Sequence, residues 1–357
     1  MNNSLSEFIF QSKYARYDQA LGRKETWEES VTRIHNMHID YLNDKYQYVF
    51  NNAEFRKDFL ESIKAYKDKL FIGSQRALQF GGTPILNKHA RLFNCSFTYV
   101  DRLEVFKEIE WVLLCGCGAG ISVEHQHINK LPKMLPQVSK DTETYVIEDS
   151  IEGWALAIQQ IINYYFIPNT KYPKFDYSNI RPKGAFISGG FIAPGPNGLK
   201  NSINKIQEIL ESVHKTTKQL SSLNCTDIIS HCADSVLSGG VRRSALIVIF
   251  DEDDEEMFTC KTGNWFYDNP QRARFNMSAA LDRKTTSKET FERIINATKE
   301  FGEPGFYWRS DNGVGPNPCC LPAWATVITP TGLKTLNDVG PGAVSYTHLT
   351  LPTIRLV

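Results

Sequence analysis

From Cys95 onward, strand-like and helix-like stretches alternate along the chain, and this alternation constrains the fold more than any other feature. Residues 93–97 read as a short strand or strand edge, 103–114 as a helix, and 115–123 as a glycine-rich turn followed by an alternating strand. Helices are expected at 153–166, 199–220 and 224–237, with strands at 185–188 and 245–250. Residues 272–281 read as strand or loop. Thr286-Ser287-Lys288-Glu289 caps a helix to about 301, and 305–308 forms a final short strand. Such a pattern predicts an α/β fold with a parallel sheet, open or closed into a barrel. Ahead of it, residues 1–85 are expected to form a helical region. Thr26-Trp27-Glu28-Glu29 has the form of a capping box, Trp27, Val31, Ile34, Met37 and Tyr41 recur at helical spacing, and 54–70 repeats the habit.

The 357 residues are enough to bury roughly three quarters of the unfolded surface. Lys+Arg and Asp+Glu are both 40, so no whole-chain basic field points to nucleic acid or an anionic membrane. No apolar run reaches the roughly 18 residues of a membrane helix, and Met1-Asn2-Asn3-Ser4 opens no signal peptide. A soluble, cytoplasmic protein is expected. Eight irregularly spaced cysteines in a chain of this length do not make a secreted disulfide scaffold. Most are expected to be buried small hydrophobes and a few to be reactive.

Two stretches draw attention to sulfur. Asn317-Pro318-Cys319-Cys320 follows Gly313-Val314-Gly315-Pro316, and the rigid Asn-Pro step reads as a loop tip holding a thiol in a set place. Cys115-Gly116-Cys117-Gly118-Ala119-Gly120 suggests close backbone approach to a ligand or another strand. It is not the dinucleotide fingerprint, because no helix opens after it. Cys115 and Cys117 with His125 and His127 invite a zinc reading, but structural zinc sites space their paired cysteines more widely, so no metal site is expected. Cys95 between Phe93 and Phe97 reads on its own as core packing. Cys225, Cys232 and Cys260 are expected to be buried and inert. Arg242 and Arg243 fit either phosphate contact or a structural pair. Residues 251–256 are expected to be a solvated acidic turn rather than a metal site.

Several stretches, in one order, resemble the adenosylcobalamin-dependent (class II) ribonucleotide reductases. They are Tyr14-Ala15-Arg16-Tyr17, Gly22-Arg23-Lys24-Glu25-Thr26-Trp27, Asn94-Cys95, Gly116-Cys117-Gly118-Ala119-Gly120-Ile121-Ser122-Val123 and Glu152-Gly153-Trp154. Arg181-Pro182-Lys183-Gly184, Gly240-Val241-Arg242-Arg243-Ser244-Ala245, Gly302-Glu303-Pro304-Gly305 and Asn317-Pro318-Cys319 continue the series. The resemblance implies a ten-stranded α/β barrel behind the helical region, residues 86–319 supplying part of it and ending on a central finger loop. It implies a thiyl radical on Cys319 that takes the 3′ hydrogen of a ribonucleotide substrate, with Asn317 hydrogen-bonding the sugar hydroxyls. Cys95 would be one of two thiols that reduce the 2′ position and end as a disulfide, restored by a thioredoxin-like reductant. Adenosylcobalamin would generate the radical. A deoxyribonucleotide effector is implied as well: Arg242 and Arg243 would face effector or phosphate groups. Arg274 and Asn276 fall where the family has a loop relaying effector identity.

The chain departs from this pattern after Cys319. The family continues with one residue and then a glutamate that takes the 3′-hydroxyl proton, whereas no glutamate occurs here after Glu303. Residues 320–343 instead resemble the start of an intein of Hint-type β fold, with alternating apolar residues and a Gly-bearing turn. Cys320 would then be the splicing nucleophile that converts the preceding peptide bond to a thioester. The insert begins at Cys320 or at Cys319 itself. Residues 344–357 resemble a translated sequencing-library adapter and read as a non-native tail. The expectation is ribonucleotide reduction in the complete spliced protein, the present chain being inactive alone. Autoprocessing by the intein start and nucleotide binding without turnover are the alternatives.

Overall fold

The computed structural model describes residues 3–187, 191–237, 246–309, 315, 326–329 and 332–335. The chain begins with helices α1 (Asn3–Lys13), α2 (Trp27–Lys45), α3 (Ala53–Lys67) and α4 (Gln75–Phe80). The capping box forms as expected: Thr26 Oγ1 accepts from the Glu29 N–H, and the Glu29 carboxylate accepts from the Thr26 N–H. The predicted apolar stripe turns inward, with Val31, Ile34 and Met37 packed against Tyr66, Leu78 and Phe80. Arg33 ties these helices together. Its guanidinium donates to Glu25 at 2.6 and 2.7 Å and to the carbonyls of Leu78 and Gly81 at 2.8 and 3.1 Å. That satisfies chain-end carbonyls that α4 would otherwise bury unpaired.

A second, larger core lies around a five-stranded parallel sheet. Strand β1 (Cys95–Tyr99) leads through α5 (Val105–Leu114) to β2 (Gly118–Ser122). A parallel pair follows, β3 (Thr142–Val146) and β4 (Tyr172–Asp176), joined by α6 (Ile151–Phe166). Helices α7 (Asn197–Lys215) and α8 (Ser222–Leu237) precede β5 (Leu246–Asp251) and β6 (Phe275–Leu281). Helix α9 (Lys288–Phe301) then returns the chain to β7 (Gly305–Trp308). The strand order is β7-β6-β5-β2-β1. Every neighbour is parallel, as helical crossovers require. All five residues of β2 are buried. Glycine and alanine at its first three positions let the flanking strands and helices close over it.

The β3–β4 pair was not expected, for a physical reason. Thr142, Glu143 and Thr144 are exposed, so β3 carries almost no apolar alternation. Helix α7 ends at Lys215 rather than near 220, because Thr216 leaves the helical region at φ −114° and ψ −96° and the Lys218 N–H turns back onto the Val213 carbonyl. The strand expected at 185–188 is a two-residue rung, Phe186–Ile187 paired antiparallel with Phe191–Ile192. The acidic turn is not fully solvated. Asp254 is buried and caps the short helix Glu255–Thr259 by accepting from the Met257 N–H, while Asp251 accepts from the His125 N–H at 2.5 Å.

The packing of α5 on α8 buries one carboxyl completely. Glu110 has no exposed surface, and its Oε1 lies 2.6 Å from Ser235 Oγ. The same hydroxyl lies 2.8 Å from the Cys232 carbonyl, and a single proton cannot serve both acceptors. A protonated Glu110 resolves this by donating to Ser235, which passes its own proton to the carbonyl. Burial accordingly pushes the Glu110 pKa up to about 8.

Glu110 has a folded pKa above its ordinary value of 4.5, so its contribution to stability falls as pH rises through the window from 4.5 to 8. Glu110→Gln removes that titration. Urea unfolding at pH 5 and pH 8 should show the parent losing more stability than the variant over this interval, and equal losses would refute the assignment. Gly116 has φ of 82°, and a Cβ there would lie 3.0 Å from Arg76 Nη2. Gly116→Ala should therefore cost about 2 kcal/mol or more in the same assay.

Candidate active site

Cys95 opens β1 and sits in register with Gly118 of β2. It is half-buried. The strand period puts Cys95, Phe97 and Tyr99 on one face. Phe97 and Tyr99 meet edge to face at 5.5 Å, and Tyr99 stacks on His127 at 4.5 Å. Gly315 lies directly on this face, since a Cβ at that position would overlap the Phe97 ring. Gly315 is two residues before Asn317. Asn317, Cys319, Cys320, Arg242 and Arg243 lie outside the described residues.

At the C-terminal end of the sheet, Glu124 follows β2 and is 4 % exposed. Its carboxylate accepts from the Ser122 hydroxyl at 2.6 Å and pairs with Arg309, the first residue beyond β7. Glu124 and Arg309 carried no signal in the sequence, since they are far apart along the chain and neither sits in a recognisable pattern.

Arg274 and Asn276 do not occupy a loop. Arg274 ends the 3-10 turn Pro270–Arg274, and its Nε donates to Asp234 on α8 at 2.5 Å. Asn276 is the second residue of β6, in register with Ile247 of β5. The alternation of buried Phe275, Met277 and Ala279 makes this segment a strand, the other of the two readings open from sequence.

The zinc reading is excluded by topology. Cys117 precedes β2 and His125 follows it, so the two stand at opposite ends of a strand on the order of 15 Å long. The Cys117 thiol instead donates toward the carbonyls of Phe93 and Ala90 at 3.1 and 3.2 Å. Burial pushes the Cys115 thiol up to about 11 and Cys260 to about 12, and raises Cys225 and Cys232 also. These thiols are poor nucleophiles.

A cavity of about 410 Å³ lies beside the glycine-rich turn, lined by Gly116, Lys88, Arg91, Glu152, Arg181 and Ser235 among others. Lys88 pairs with Glu152, and Arg181 pairs with Asp149. Arg91 stands over the Phe80 ring at 5.2 Å, and among the described residues no carboxylate pairs with it. Burial lowers its pKa from the ordinary value, a cost that a bound anion would offset. The cavity thus gathers the motifs around Glu152 and Arg181, distant in sequence, with a cation not matched by an acid. Lys88 and Arg91 were not singled out from sequence, because a lone basic residue in a 3-10 turn has no pattern.

No family model matches the chain. It is 25% identical over 347 residues to the adenosylcobalamin-dependent ribonucleoside-triphosphate reductase of Euglena gracilis, a match covering 89% of this chain and 46% of that protein. The enzyme of the same name from Lactobacillus leichmannii is 26% identical over 358 residues, covering 83% of this chain and 47% of the relative. A putative adenosylcobalamin-dependent ribonucleoside-triphosphate reductase of Mycobacterium phage D29 is 23% identical over 377 residues, covering 88% and 52%. The chain therefore spans about half the length of the curated relatives it matches. The crystal structure of a B12-dependent (class II) ribonucleotide reductase superposes with a TM-score of 0.69 at 21% identity, over 94% of this chain and 52% of that one. The chain is similar in sequence to adenosylcobalamin-dependent ribonucleoside-triphosphate reductases, and its α/β fold is that of a class II ribonucleotide reductase over about half of the latter's length.

Proposed function

We propose that the chain supplies the N-terminal part of a ribonucleotide reductase, in which Cys319 carries the thiyl radical and Cys95 is one of the two reducing thiols. The observation that carries this reading is Gly315 on Phe97. Gly315, two residues before Asn317 in sequence, lies against a ring of the strand that begins with Cys95, which supports the reading. Asn317 would hold the sugar hydroxyls there. In the reductive step the 2′ C–O bond breaks and a C–H bond forms. The hydroxyl leaves as water, and two thiols give up their hydrogens to become a disulfide. A thioredoxin-like protein then returns that disulfide to thiols by exchange. The remainder of the ten-stranded barrel and the second thiol would come from outside the described residues.

The relatives' names point to adenosylcobalamin as the radical source. Two cavities among the described residues, of about 410 and 660 Å³, are of a size that suits a nucleotide. Nucleotide phosphates suit the smaller cavity. Arg91 supplies a cation, and α8 ends beside it shortly before Arg242 and Arg243, which would complete an effector or phosphate site.

In the complete spliced protein, Cys95→Ser is expected to abolish deoxyribonucleotide formation while leaving nucleotide binding within about twofold, because the thiol reacts and does not anchor the ligand. Turnover retained by Cys95→Ser with a thioredoxin-type reductant would refute its role.

A second chemistry is supported at the end of the chain. Thr326–Thr329 and Gly332–Thr335 pair as an antiparallel hairpin, consistent with an intein start in which Cys320 attacks the Cys319 carbonyl. Thiol treatment should then cleave after Cys319, and Cys320→Ala should abolish that cleavage. Cleavage that persists in Cys320→Ala would move the junction or sink the reading.

A further inference from the structure

A cavity in the helical region takes no part in the chemistry proposed for Cys95 and Cys319. It opens between α2, α3 and the segment entering α4, with a volume of about 360 Å³. That lies within the range of roughly 300–1,000 Å³ typical of small-ligand sites. Val31, Ile34 and Ile63 line it with apolar surface, and Phe59 and Phe71 add rings. Phe59 stacks on His35 at 4.7 Å, and Phe71 stacks on Tyr66 at 5.1 Å.

The rest of the lining is polar without being charged. It comprises His35, His38, Ser62, Tyr66 and Ser74, and among the described residues no carboxylate, ammonium or guanidinium lines the cavity. Burial lowers the pKa of both His35 and His38, which keeps the two imidazoles neutral at neutral pH. A charged occupant would therefore leave water without a counter-ion to meet it.

Two of the hydroxyls are already engaged. Ser62 Oγ donates to the Phe59 carbonyl at 2.7 Å, and Ser74 caps α4 by accepting from the Ala77 N–H. Tyr66 differs. The residue is 8% exposed, its oxygen is fully buried, and its proton has no acceptor among the described residues. Burial raises the Tyr66 pKa, so the proton stays on the oxygen. The hydroxyl lies beside Gly73, where a Cβ would come within 3.2 Å of it, and a backbone N–H there can only donate. A buried hydroxyl without an acceptor is costly, and a ligand that accepts from it would remove that cost.

We propose that this cavity binds an uncharged aromatic heterocycle, packed among the rings of Phe59 and Phe71 and held by the Tyr66 hydroxyl donating to a ring nitrogen or carbonyl. The ring surfaces select a flat apolar body, and Tyr66 selects an acceptor on its edge.

The test uses the full chain and three bicyclic probes of similar shape, followed by ligand-observed NMR. Quinoline is neutral and carries an accepting ring nitrogen, naphthalene lacks the nitrogen, and N-methylquinolinium is charged with no lone pair to offer. Quinoline is expected to bind saturably, about fivefold or more tighter than naphthalene, and tighter than N-methylquinolinium. Tyr66→Phe deletes one oxygen from the buried ring. It should bring quinoline down to the naphthalene affinity while leaving naphthalene within about twofold. Ser62→Trp, at an exposed lining position, should fill the cavity and block both neutral probes, with urea unfolding reporting that the variant is folded. Absence of saturable quinoline binding, a quinoline preference that persists in Tyr66→Phe, or binding that survives Ser62→Trp would each overturn the proposal. So would N-methylquinolinium binding as tightly as quinoline, which would make the rings a cation cage. Should Ser62→Trp fail to fold, Tyr66→Phe carries the test.

Discussion

The structure depends on the turn that feeds its central strand. Arg76, on α4, donates from one guanidinium nitrogen to the carbonyls of Cys115 and Gly116 at 3.2 and 2.9 Å. Another nitrogen reaches the carbonyl of Arg91 at 3.2 Å, and the cation sits over Phe80 at 4.5 Å. These contacts satisfy buried carbonyls where the chain turns into β2, which would otherwise be costly to hide. They also lock the N-terminal helices to the sheet. The register of β2 sets that of β1, and therefore where Cys95 stands. A single buried cation thus links the helical core, the sheet and the candidate chemistry.

Much of the architecture could be read from local pattern. Thr26 with Glu29, and Ser150 with its bond from the Gly153 N–H, announce helices in a few residues each. The apolar periodicity of residues 245–250 and the glycine-rich entry to β2 mark buried strands. Strand β3 escaped because its side chains face water, so the burial that would leave a trace in composition is missing. Asp254 escaped for the opposite reason: an acidic run looks solvated, yet one member turns inward to cap a helix.

The candidate site was legible unevenly. Cys95 falls within a strand, where its neighbours suggested it would be. Its proposed role draws on Gly315, which no local signal links to Phe97. Arg274 gains a partner that no local pattern announces, since its guanidinium pairs with Asp234 while the residues after it form a strand. Glu124, Arg309, Arg91 and Glu110 acquire meaning only from tertiary neighbours. Pairing across a fold leaves no periodic trace.

The order β7-β6-β5-β2-β1 leaves β1 and β7 without outer neighbours among the described residues. Each then offers a row of backbone donors and acceptors to whatever strand meets it first. Every residue of β1 is half-buried rather than covered, and Phe306 on β7 is 41% exposed. Whatever covers those two borders, strand, helix or loop, decides whether the sheet stays single or pairs with another.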